Sequence, residues 1–146
     1  VCMDLSLPGA TVADALAGVA MMPFGAFSEH VRTTQASTLV IRYGGADAMR
    51  GTPLADFERD LEAMVSLAKK SHKLVLLVGV IATPSGVTDD YDLAVERVAD
   101  AHGTGFVDVR AVSVTFPDDL ADAVHPAQAW SDRITAAIVR HLQPQP

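Results

Sequence analysis

Asp122 and His125 stand three residues apart in the stretch Asp122-Ala123-Val124-His125-Pro126, just ahead of the last apolar-periodic segment of the chain. A carboxylate at that distance can hold an imidazole in one tautomer and stabilise its protonated form, which suits the histidine to general-base work. Such a base needs a nucleophile to activate. Ser6, within Asp4-Leu5-Ser6-Leu7, reads as a turn residue. The alternative for the pair is structural, with Asp122 capping the last helix and His125 packing. Asp47, after Gly44-Gly45, either orients that turn or is solvated. Arg42 and Arg50 flank the same turn and could meet an anionic substrate, although exposed arginines are commonly just solvated. His30, His72, His102 and His141 have no ligand-like spacing with Cys or carboxylates, so no metal site is expected. The lone Cys2 leaves no internal disulfide and reads as a small buried hydrophobe. The sequence contains no Asn, so no Asn side chain can serve in any site.

These residues must be positioned by elements. Val1–Leu5 reads as a short strand before the Pro8-Gly9 turn, and Thr11 as the N-cap of a helix running to Val19. Pro23-Phe24-Gly25 breaks the chain, and a short helix follows over 27–32. Thr38–Tyr43 is a buried-strand pattern ending at Gly44-Gly45, where a loop is expected. Thr52-Pro53 opens a helix with the stripe Leu54, Phe57, Leu61, Met64, Val65 and Ala68. Lys73–Ile81 is almost wholly apolar, as expected of a strand buried on both faces of a parallel sheet. A helix over 90–101, a strand over 106–109 and a helix over 127–142 complete the pattern. The expected organisation is one domain over 1–142, with 143–146 a tail. Alternation of strand and helix implies a three-layer α/β/α fold with a parallel sheet, whose sites lie at the carboxyl ends of the strands. Gly9, the Gly44 loop, Thr83-Pro84 and the Asp122 loop should therefore share one rim.

Composition narrows the function. The 146 residues are 49% hydrophobic and 20% charged, enough for a globular core. A net charge of −7 argues against a nucleic-acid partner. No run approaches the roughly 18 apolar residues of a membrane span. The first residue is Val and reads as strand, which suggests a preceding segment.

Three segments in order resemble blocks of the SGNH (GDSL-like) hydrolase family: Leu5-Ser6-Leu7-Pro8-Gly9-Ala10-Thr11, Tyr43-Gly44-Gly45-Ala46-Asp47, and Asp122-Ala123-Val124-His125-Pro126. The resemblance spans nearly the whole chain and implies a flavodoxin-like α/β fold. It implies a serine esterase or deacylase acting on a small-molecule or carbohydrate ester, without metal or cofactor. It places Asp122 as the triad acid, His125 as the base, and Gly9 and Gly44 in the oxyanion-hole blocks, with Gly45 and Asp47 in the Gly44 loop. Two departures stand out. Ala46 occupies the place of the family's oxyanion Asn, and the block carrying the nucleophilic Ser is absent. In that fold the first strand lies between strands two and three. If Val1–Leu5 is strand two, its neighbour is missing, and each buried backbone group left unpaired would cost about 1–3 kcal/mol. The expectation is a first strand supplied by an upstream segment, a second chain or a rearranged N-terminus. The other reading takes Val1–Leu5 as the first strand and Ser6 as the nucleophile. A degenerate domain kept for binding or assembly is the non-enzymatic alternative.

Overall fold

The computed structural model describes residues 7–19 and 25–143. The expected strand Val1–Leu5, Cys2, Ser6 and the Pro23-Phe24 break lie outside those residues. Among the described residues, three parallel strands, β1 (Thr38–Ile41), β2 (Leu74–Val78) and β3 (Gly105–Val107), form a sheet in the order β1-β2-β3. Thr38 pairs with Leu74 and Ile41 with Leu77; Leu76 pairs with Gly105 and Val78 with Val107. Six helices among the described residues surround the strands: α1 (Val12–Ala17), α2 (Phe27–Thr33), α3 (Gly45–Arg50), α4 (Leu54–Lys70), α5 (Asp89–His102) and α6 (Gln128–Leu142).

The two-residue period of β2 divides the core. Val75 and Leu77 join Phe57, Leu61, Met64, Val95 and Val98 beneath α4 and α5, with Val12 and Val31 from α1 and α2. Leu76 and Val78 join Val107, Val109, Trp130 and Ile134 beneath α6. An apolar run buried on both faces is what a central parallel strand requires. The fold is thus a three-layer α/β/α arrangement around a parallel sheet, as the alternation of strand and helix implies. Among the described residues β1 has one sheet partner, β2, and its Val40 is 44% exposed.

Several boundaries differ from the sequence expectation for identifiable reasons. The apolar run continues to Ile81, but β2 stops at Val78. Val80 gives its N–H to the Asp92 carboxylate at 2.7 Å, and its carbonyl accepts from Arg110 Nε at 2.9 Å, so side chains replace the ladder there. Residues 108–109 leave β3 similarly: the Val109 carbonyl accepts the Trp130 indole N–H at 3.0 Å. Helix α4 begins one residue later than Thr52-Pro53 suggests, with Pro53 extended at the cap position. The Thr52 carbonyl instead accepts the Tyr91 hydroxyl. The expected loop at Gly44-Gly45 is only a turn, because Gly45–Arg50 forms α3.

Candidate active site

Gly9 lies in the turn that leads into α1, where Ala10 N–H donates to the Leu7 carbonyl at 3.2 Å. Thr11 caps α1 reciprocally: its hydroxyl accepts from Asp14 N–H at 3.1 Å, and its own N–H donates to the Asp14 carboxylate at 3.0 Å. Gly9 has φ +77°, a left-handed conformation that glycine adopts without the penalty of a β-carbon. Asp47 joins this turn to α3. It is 1% exposed, and its carboxylate accepts the Val12 N–H at 3.4 Å. Burial pushes its pKa up, while the Val12 N–H pulls it back. Asp47 is therefore an internal tie between the Gly44 and Gly9 turns, not a solvated side chain.

The Asp122–His125 pair is built by the segment before α6. His125 Nδ1 lies 2.8 Å from Asp122 Oδ2 and 3.1 Å from Oδ1. Asp122 Oδ1 also accepts the Val124 and His125 backbone N–H groups, each at 2.8 Å. With the Val124 N–H first and the His125 ring second, these donors hold the Asp122 carboxyl down at about 2. An ionised Asp122 keeps the proton on Nδ1, which leaves Nε2 with its lone pair free to act as base. The helical-cap role for Asp122 is not what forms: α6 starts at Gln128, and its cap residue Ala127 makes no side-chain bond. The imidazole side chain is 72% exposed.

Asp119 anchors this loop from below, a role the sequence did not announce. Its carboxylate accepts from Ser113 Oγ at 2.9 Å and from the Val114 and Thr115 N–H groups at 2.6 and 3.0 Å. Arg133 from α6 stands 2.8 Å away. The Thr115 N–H leads the interactions that hold the Asp119 carboxyl well below the usual carboxylate range. Its own carbonyl accepts Ala127 N–H at 2.7 Å, and the His125 carbonyl accepts Ala121 N–H at 2.8 Å. Both ends of the His125 turn are thereby tied.

One cavity of about 380 Å³ gathers these parts. Gly9, Gly44, Gly45, Ala46, Thr83 and His125 all line it, at the carboxyl ends of the strands. The Thr83 wall is braced by Arg110, which reaches the Val80 carbonyl, Thr88 Oγ1 at 3.2 Å and the Asp89 carboxylate at 2.7 Å. Arg110 carries no local sequence signal, because these partners lie 21 to 30 positions away. Ala46 lines the cavity, and its side chain carries no hydrogen-bond donor. Ser6 lies outside the described residues, and no serine lines the cavity among those described.

Residues 2–132 match the GDSL-like lipase/acylhydrolase family. The chain belongs to that family. Among solved structures, TesA superposes with a TM-score of 0.74 at 25% identity, over 93% of this chain and 74% of TesA. Axe2, an acetylxylan esterase from Geobacillus stearothermophilus, gives 0.73 at 22% identity, over 94% and 69%. LAE5, an α/β-hydrolase enzyme from the metagenome of Lake Arreo, gives 0.71 at 21%, over 90% and 67%. The last two likenesses concern the fold. A search of curated proteins found no match. As a GDSL-like chain, the protein is of the ester-hydrolase class that the three motif segments resemble.

Proposed function

We propose that this GDSL-like protein is a serine esterase or deacylase for a small-molecule or carbohydrate ester, with His125 as base and Asp122 as its orienting acid. The observation that carries the reading is the 2.8 Å contact from His125 Nδ1 to Asp122 on the wall of the shared cavity. In this mechanism a serine hydroxyl attacks the ester carbonyl while His125 Nε2 takes its proton. His125 then gives that proton to the departing alkoxide. Water, deprotonated by the same nitrogen, attacks the acyl-serine, and His125 returns that proton to the serine oxygen as the acid departs. The Gly9 N–H helps to hold the oxyanion. Ala46 leaves the hole one donor short, which costs about 10²–10³ in rate.

The nucleophile is either Ser6 or a serine on a segment that completes the sheet, from upstream or from a second chain. Among the described residues β1 has one sheet partner and an exposed Val40, an edge that a strand from either source would cover. The donor-free Ala46 favours the competing reading, a domain that binds without turnover.

Initial rates on p-nitrophenyl acetate and on an acetylated xylooligosaccharide test the proposal. Turnover is expected above background, falling about 10²–10⁴-fold in His125→Ala. Turnover of neither ester, or equal rates in both proteins, would leave the binding reading.

A further inference from the structure

Arg42 follows β1 directly and lines the same cavity as His125. Several other arginines are engaged: Arg50 pairs with Asp14, Arg97 with Glu58, Arg110 with Asp89 and Asp92, and Arg133 with Asp119. Arg42 makes no ion pair or hydrogen bond among the described residues. The residue is exposed overall, yet the protein around its guanidinium removes enough water to lower its pKa, and no carboxylate among the described residues offsets that loss. Among the described residues no acidic side chain lines the cavity, and His125 is the only other lining group able to carry positive charge. In a protein of net charge −7, the candidate active site thus holds one cation without a partner among the described residues.

A planar guanidinium matches a carboxylate with two parallel N–H donors, and partial desolvation strengthens such a pair. The cavity, about 380 Å³, suits a ligand of a few carbons at the small end of binding pockets. We propose that Arg42 selects substrate by receiving a carboxylate carried on the ester, which makes the preferred substrate a small anionic ester. The inference rests on reading this cavity as the ester site. The anion sits on either the acyl or the alcohol side of the scissile bond, and Arg42 reads its charge in both cases.

The test uses the full chain in a His125→Ala background at pH 8, where turnover is blocked and Arg42 is the remaining lining cation. Monomethyl succinate carries the anion on the acyl side, and acetoxyacetate on the alcohol side. Dimethyl succinate and methyl acetoxyacetate are their neutral counterparts. Binding is followed by the amide NMR shifts of Gly44 and Gly45. At least one anionic ester is expected to bind roughly tenfold or more tightly than its neutral counterpart, as a charged hydrogen-bonded pair implies. Arg42→Gln, which breaks no contact in the described fold, is expected to abolish the preference. No binding by any of the four, equal affinities within both pairs, or a preference that survives Arg42→Gln would overturn the inference. Wild-type turnover separates this from the hydrolase reading. Hydrolysis without charge preference removes the role of Arg42 alone. Arg42-dependent anion binding without turnover keeps that role and removes the hydrolase.

Discussion

Replacing Gly44 with alanine strikes the turn that sets α3 and the Gly44 wall of the cavity. Gly44 has φ +116° and ψ −30°, a region where L side chains are strained by about 1–3 kcal/mol. Its surroundings add to this. A β-carbon there would stand 2.7 Å from Val80 Cγ2 and 3.3 Å from Phe57 Cζ. Val80 is 3% exposed and Phe57 fully buried, and a β-branched side chain has little rotameric freedom to give way. Forcing a methyl into packing of this kind costs about 1–3 kcal/mol more. Together the two effects predict a loss of about 2–6 kcal/mol, which at roughly 3–5 °C per kcal/mol lowers Tm by at least about 6 °C. Gly45→Ala is the internal control. Gly45 is the first residue of α3 and has no heavy atom within 4 Å of its notional β-carbon. Alanine gains up to about 1 kcal/mol of helix propensity there, so Tm should hold or rise by a few degrees. Thermal unfolding by circular dichroism reads both variants. A Gly44→Ala protein as stable as wild type, or a Gly45→Ala protein equally damaged, would refute the packing argument.

Three further predictions concern the hole, the acid range and the α6 core. Ala46→Asn restores a donor where the family places one and is expected to raise ester turnover about 10²-fold with little change in Tm; an unchanged rate would place residue 46 out of reach of the oxyanion. Asp119 and Asp122 have folded pKa values depressed below their ordinary 3.8, so the stability they contribute is full above that value and drains as pH falls through the folded values, about 2 for Asp122. Tm should therefore drop between about pH 4 and 2, and the Asp119→Asn/Asp122→Asn double variant should show a shallower drop; parallel curves would contradict the linkage. Trp130→Phe removes a fully buried ring volume and the bond to the Val109 carbonyl, and should cost about 2–3 kcal/mol by urea unfolding; a loss below about 0.5 kcal/mol would mean that α6 is held elsewhere.

The parts of this protein that could be read from sequence are those written in local pattern. The stripe Leu54, Phe57, Leu61, Met64, Val65 and Ala68 names the buried side of α4 almost residue for residue, and the uninterrupted run around Leu74–Val78 announces the central strand. The rim was legible too, because strand ends in a parallel sheet all point one way, and Gly9, Gly44, Thr83 and His125 do share one cavity. What escaped was written at long range. The end of β2 is set by Asp92 and Arg110, 12 and 30 positions from Val80, and no window of sequence shows a side chain capturing those backbone groups. Asp119 looks like one more acid in an acidic chain until Arg133 and the Ser113–Thr115 loop close around it. Helix α3 was hidden by Gly44-Gly45, which suggests a loop, although Ala46–Arg50 are adequate helix formers once Gly44 has made the turn.

The account turns on His125 activating a serine, and fluorophosphonate labelling reads that step without knowledge of the substrate. Wild-type protein, Asp122→Ala and His125→Ala are treated with the probe and followed by intact mass, with peptide mapping of the adduct. One adduct on one serine is predicted, slowed in Asp122→Ala and lost in His125→Ala. Absence of an adduct from wild-type protein, or labelling that proceeds equally without the imidazole, would contradict it.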